Sequence, residues 1–179
     1  MRVIAGKYKG RVLFSPKDQA IRPTTDRIKE NVFNLLQGRL AGAAFLDLFG
    51  GSGAMTIEAL SRGAKKAVTV DASRDSAELI KKNFRKVGLC NEAQLWEITY
   101  DVALKRLSGQ KFDVIYLDPP YKAGLEKDVL DKIVENDVLK EGGVVVFEHA
   151  TEIPFAYEGE LAVFDSRKYG SVTIELLSR

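Results

Sequence analysis

The chain has 179 residues, 45% hydrophobic and 29% charged, with a formal net charge of +2. That fits one globular domain with bulk for a continuous core, and no apolar stretch approaches the ~20 residues that span a bilayer. The single cysteine, Cys90, excludes an internal disulfide and any cysteine-rich metal site.

The start, Met1-Arg2-Val3-Ile4-Ala5-Gly6-Lys7, has no signal-peptide apolar core, so a cytoplasmic protein is expected. Charge is unevenly spread: residues 1–40 hold nine Lys or Arg against three Asp or Glu, whereas the rest hold eighteen against twenty-two. A basic arm ahead of a mildly acidic body suits a phosphate backbone, and equally an ordinary solvated surface. Within a short β-rich arm over about residues 2–14, Lys7-Tyr8-Lys9-Gly10-Arg11 interleaves charge with an aromatic ring, as a backbone-gripping hairpin would. A helix is predicted over Asp26–Leu40, with Ile28, Val32, Leu35, Leu36 and Leu40 on its core face.

Strand and helix then alternate. Strands are predicted near 45–48, 67–71, 94–97, 112–117 and 144–148, and helices near 53–62, 74–87, 101–108 and 125–135. Gly63 and Gly88 stand where C-terminal caps belong, and Cys90 follows the second as a passive residue. Such alternation implies a mostly parallel sheet covered on both faces. Leu161–Asp165 and Val172–Leu177 differ, reading as a closing hairpin.

Two strand ends carry the chemistry. The run Phe45-Leu46-Asp47-Leu48-Phe49 enters Gly50-Gly51-Ser52-Gly53-Ala54 and then a helical pattern. Glycines there permit tight turning and close ligand approach, and the helix start offers free N–H groups. Thr56 occupies the place where the dinucleotide fingerprint requires a third glycine or alanine. Asp71 ends the second strand, placed to accept from ribose hydroxyls or to cap the next helix, a task Ser73 can also perform. That acid does not separate NAD from S-adenosylmethionine, since both carry an adenosine ribose.

The second end is Asp118-Pro119-Pro120-Tyr121, after Phe112-Asp113-Val114-Ile115-Tyr116-Leu117. Paired prolines stop both strand and helix and hold the chain stiffly where open α/β sheets bind ligands. A carboxylate, proline carbonyls and an aromatic ring together suit a flat base bearing an exocyclic amine: the ring stacks it and the oxygens accept its hydrogens.

These motifs resemble those of S-adenosylmethionine-dependent amino methyltransferases. With Arg22-Pro23-Thr24-Thr25-Asp26-Arg27, the chain is similar over nearly its whole length, from Arg2 through Lys168-Tyr169-Gly170, to the bacterial family that methylates the N2 amine of one guanine in 16S ribosomal RNA. The resemblance implies a Rossmann-like class I methyltransferase, α/β, with a seven-stranded mostly parallel sheet and an antiparallel C-terminal hairpin. Residues 1–40 would be an RNA-binding extension, and 41–179 the methyltransferase domain as a single compact unit. S-Adenosyl-L-methionine would lie along Asp47, Phe49, Gly50, Gly51, Ser52, Gly53, Asp71, Ala72, Asp101 and Asp118. Asp47 would order the loop or meet the methionine amino group. Asp101 would receive the adenine amine or simply favour a helix start. Catalysis would fall to Asp118, Pro119, Pro120 and Tyr121, and RNA contact to Lys7, Lys9, Arg11, Arg22, Thr24, Thr25 and Arg27, the last three facing cofactor or RNA. The expected partner is 16S ribosomal RNA within a small-subunit particle, with no membrane and no metal.

Three other readings stand beside this one. An adenine-N6 or cytosine-N4 methyltransferase would share the Asp-Pro-Pro-Tyr chemistry, but the few residues between Tyr121 and the next helix leave no room for a sequence-reading domain. A nicotinamide-dependent oxidoreductase fits the strand and acid but neither the glycine spacing nor the prolines. A non-catalytic RNA-binding module is opposed by the full set of site residues. His149, the only histidine, follows Glu148 at a strand end, where a structural role competes with that of a base.

Overall fold

A computed structural model describes residues 1–17, 25–120 and 124–179. One sheet of seven strands runs in the order β3-β2-β1-β4-β5-β7-β6. The strands are β1 (Ala44–Asp47), β2 (Lys66–Val70), β3 (Ala93–Trp96), β4 (Phe112–Leu117), β5 (Leu139–Ala150), β6 (Ala162–Tyr169) and β7 (Val172–Ser178). Strands β1 to β5 pair in parallel, and β7 pairs antiparallel with both β5 and β6. The expected mostly parallel sheet with a closing hairpin is what forms, and β7, later in the chain than β6, lies inside the sheet.

Five helices cover the two faces: α1 (Asp26–Leu35), α2 (Ala54–Ser61), α3 (Arg74–Val87), α4 (Tyr100–Arg106) and α5 (Leu125–Glu135). The period-2 alternation of the strands sorts their side chains. Leu46, Ile115, Leu117 and Val145 face α4 and α5, whereas Phe45, Val114, Tyr116 and Val146 face α1 and α2. Buried on both sides, these central strands are apolar almost throughout.

Helix α1 is shorter than its apolar face predicts, ending at Leu35 rather than Leu40. The chain turns at Gly38, whose φ of +83° leaves the helical region. Leu36 and Leu40 stay buried, so the face outlasts the helix. Gly63 and Gly88 do close α2 and α3: Ala64 N–H reaches Ala59 O (3.0 Å) and Leu89 N–H reaches Phe84 O (3.0 Å).

The N-terminal arm is a hairpin, with an Arg2–Val12 bridge and Val3 N–H donating to Arg11 O (2.9 Å). Val3, Tyr8 and Leu13 pack against Ile57 of α2 and Ile80, Phe84 and Val87 of α3. Glu58 of α2, fully buried, binds the arm to the body. It accepts from the N–H groups of Ile4 (2.9 Å) and Ala5 (3.1 Å) and from Arg62 Nε (2.8 Å), and pairs with the equally buried Lys29 of α1 (3.3 Å). Lys29 in turn donates to Arg2 O. Burial lowers the Lys29 pKa, against the raising effect of Glu58.

Candidate active site

The strand order reverses between β1 and β4, with β2 and β3 on one side and β5 on the other. At such a switch point the loops leaving neighbouring carboxyl ends part and open a crevice. Asp47 ends β1, and the strand beside it continues into Asp118-Pro119-Pro120, so the two motifs are neighbours: Asp47 pairs with Tyr116, and Leu48 N–H donates to Tyr116 O (3.3 Å).

The glycine loop is tied down from below. Gly50 N–H donates to Val70 O (2.8 Å) and Gly51 N–H to Asp71 Oδ2 (2.8 Å), while Asp71 Oδ1 accepts from Ser73 N–H (2.8 Å). Ser73 caps α3, accepting from Ser76 N–H (3.3 Å). Asp71 thereby fixes the loop and still keeps acceptor capacity; burial raises its pKa, opposed by those N–H groups and by the Ser76 hydroxyl. Gly51 has open space where a Cβ would point, as close ligand approach requires. At Gly53 a Cβ would lie 3.0 Å from the Phe84 ring, and φ is +79°, so helix packing and backbone geometry both demand glycine there.

Asp47 is 1% exposed. Its Oδ1 accepts from Phe49 N–H (3.1 Å), and its Oδ2 is the one buried side-chain polar atom without a partner among the described residues. Burial, augmented by the charge of Asp71, pushes its pKa up to about 7, against the Phe49 N–H. Phe49 packs against the Tyr100 ring at 5.6 Å. Asp101 lies in the first turn of α4, its carboxyl held low by the Thr99 hydroxyl. Ala72 is exposed.

Tyr116 and Glu148 were not singled out by sequence reasoning. The Tyr116 hydroxyl, fully buried, donates to Glu148 Oε2 at 2.6 Å. Leu117 pairs with Phe147, so Asp118 and Glu148 follow at one level on neighbouring strands. Burial, then the charges of Glu148 and Asp118, drive the Tyr116 pKa far above its usual value. The signal was an acid closing the apolar run Val144-Val145-Val146-Phe147, overlooked in favour of His149. His149 points away from Glu148: its ring stacks on Phe147 at 5.2 Å and its Nε2 meets Glu175 at 3.2 Å. It is part of the packing between β5 and β7.

Around the arm, Lys7 and Lys9 are exposed, while Arg11 is exposed yet donates to the carbonyls of Lys86 (3.4 Å) and Val87 (3.2 Å). Tyr8 is buried. Thr25 caps α1, accepting from Ile28 N–H (3.3 Å), and Arg27 is exposed in its first turn. Arg22, Thr24 and Tyr121 lie outside the described residues. Asn83 of α3, also missed, is fully buried; its amide accepts from Phe14 N–H (2.8 Å) and donates to Phe14 O (3.0 Å) and to Ser52 O in the glycine loop (2.8 Å). Among the described residues no cluster of His, Cys, Asp and Glu could hold a metal ion, and no helix is long and apolar enough to cross a membrane.

Sheet order, glycine loop and trailing acid are those of a Rossmann-like fold, and the proteins it matches make the chain an S-adenosylmethionine-dependent methyltransferase. The chain belongs to the family described as Conserved hypothetical protein 95, which matches residues 1–178. It is 37% identical over 184 residues to YlbH of Bacillus subtilis (strain 168), described as a candidate rRNA methyltransferase, covering 100% of this chain and 99% of that protein. It is 30% identical to ribosomal RNA small subunit methyltransferase D of Haemophilus influenzae, covering 98% and 92% respectively. The yhhF protein of Escherichia coli, described as a candidate methyltransferase, has a solved structure that superposes with a TM-score of 0.88 at 28% identity, covering 100% of this chain and 97% of that one.

Proposed function

We propose that this chain transfers a methyl group from S-adenosylmethionine to the exocyclic N2 amine of one guanine in 16S ribosomal RNA. The observation that carries the reading is the meeting of Asp47, the glycine loop and Asp118 at the switch point between β1 and β4. The residues fit the cofactor: Asp47 offers a buried, unpartnered oxygen to a cationic group, Asp71 has acceptor capacity for ribose hydroxyls, and Gly51 has room on its open side. When bound, the cofactor supplies a methyl on a sulfonium sulfur, whose C–S bond breaks as the amine nitrogen bonds the carbon.

The chain's part is orientation. Asp118 and the carbonyl of Pro119 or Pro120 accept the two amine hydrogens, which keeps the nitrogen lone pair out of ring conjugation and aimed at the methyl. Asp118 then takes the proton the nitrogen sheds. Tyr121 stacks the base. Glu148, hydrogen-bonded by Tyr116, adds negative potential beside Asp118 and favours cationic groups in the crevice. Guanine N2 is shielded inside a stacked helix, so the target is unpaired or flipped out, and a folded small-subunit particle supplies the site choice that so small a chain lacks.

Nucleoside mass spectrometry of small-subunit RNA after reaction with the protein tests this. The expected product is N2-methylguanosine at a single position. N6-methyladenosine or N4-methylcytidine as the main product would overturn the guanine assignment.

A further inference from the structure

The sequence pointed to Tyr8 as the aromatic of the basic arm, but Tyr8 is buried and the exposed ring is Phe14, at 49%. Lys86 Nζ stands 4.2 Å from the centre of that ring. A half-exposed ring with a cation beside it offers a flat, electron-rich partner both a stacking surface and a charge. The surroundings are basic: Lys82, Arg85, Lys86, Arg11 and Lys17 are all exposed on α3 and the arm. The backbone that carries the ring is held in place, because Asn83 grips both backbone polar groups of Phe14. The same amide grips Ser52 O, placing this platform one side chain from the glycine loop.

We propose that Phe14 and Lys86 form a nucleotide-stacking subsite outside the catalytic crevice, which holds an unpaired base of single-stranded RNA on the ring and its phosphate on the lysine. It rests on the methyltransferase reading and names a second point at which that enzyme grips its substrate. Exposed aromatics among cations are the means by which proteins hold single strands without reading sequence. With the backbone beneath it anchored, the ring loses only side-chain freedom on binding.

The test is anisotropy with a fluorescein-labelled, unstructured oligouridylate and an abasic oligomer of the same length. The wild-type protein should prefer the oligouridylate to the abasic chain. Phe14→Leu should weaken oligouridylate binding about tenfold, leave abasic binding unchanged and keep the salt slope. Phe14→Trp should retain wild-type affinity. Lys86→Ala should flatten the salt slope, since one phosphate contact is lost. S-Adenosylmethionine affinity should be the same in all three variants. Equal binding of base-bearing and abasic chains by the wild type, or wild-type affinity in Phe14→Leu, would overturn the subsite. If the wild type makes N2-methylguanosine while either of those results holds, the subsite alone falls. If stacking is found but no N2-methylguanosine, the guanine assignment falls instead and the subsite stands.

Discussion

Asp47 is a carboxylic acid held almost wholly out of water with one oxygen unpartnered among the described residues. Its folded-state pKa of about 7 exceeds the ordinary 3.8, so between those values the folded protein holds a proton that the unfolded chain has released. Raising the pH through that window therefore costs stability, and a cationic ligand beside the carboxylate reverses the effect by favouring the charge. Asp47→Asn cannot titrate. Its unfolding free energy relative to wild type should rise from pH 5 to pH 7 and level off above; urea titrations across that range would show it, and a flat difference would mean that Asp47 is charged throughout. Cofactor binding to the wild type near pH 6.5 should release protons, visible as a buffer-dependent heat in calorimetry that is missing from Asp47→Asn. Asp118 differs: the resemblance sets it along the cofactor as well, but its proposed task is to orient the substrate amine. Asp118→Ala should lower turnover by roughly the 10²–10³-fold that follows loss of one oriented catalytic group, with cofactor affinity nearly intact; wild-type turnover would remove Asp118 from the reaction. Both acids stood out in the sequence because each closes an apolar strand, Asp47 before a glycine loop and Asp118 before paired prolines. Glu148 was not, since its importance comes from the Tyr116 hydroxyl on the next strand, and cross-strand neighbours are set by register.

At the scale of elements, the arm and the first two helices are held by a charge cluster with no sequence signature. Lys29 and Glu58 each sit in a helix and read as ordinary surface residues, yet both side chains are fully buried. A buried charge is stable only while its partners remain. Glu58→Gln should therefore destabilise the protein by ~3–5 kcal/mol, because Lys29 loses its counterion and the new amide NH2 must face the N–H of either Ile4 or Ala5, which donate to different oxygens of Glu58. Combining Lys29→Met with Glu58→Gln should recover part of that loss, a coupling that a double-mutant cycle of urea midpoints would measure. Helix α1 teaches a related lesson: its apolar periodicity was legible to Leu40, but the face continues over a turn that Gly38 imposes, and hydrophobic spacing alone does not distinguish a helix from a turn that packs the same way.

Across the whole molecule, the charge asymmetry read from composition has a physical place, since the arm docks on α2 and α3 beside the glycine loop. Neutralising Lys7, Lys9 and Arg11 together should raise the Michaelis constant for RNA and flatten its salt dependence, with cofactor binding unchanged. Arg11 already donates to carbonyls at the end of α3, so its share should be the smallest of the three, and single substitutions would rank them. The parallel pairing of β1 to β5 followed from strand–helix alternation, whereas their order and the seat of β7 between β5 and β6 did not, because a hairpin docks equally well in sequence terms by either strand. That seat has a consequence in time. A chain growing from its N-terminus completes β5 at Ala150 and then makes β6, a largely exposed strand, before the one that must fill the gap. The bare β5 edge waits open throughout, a template for any stray strand, until residue 178 has emerged and the hairpin closes it from the far side. Until β7 seats, that edge is the surface through which newly made copies are most prone to stick to one another.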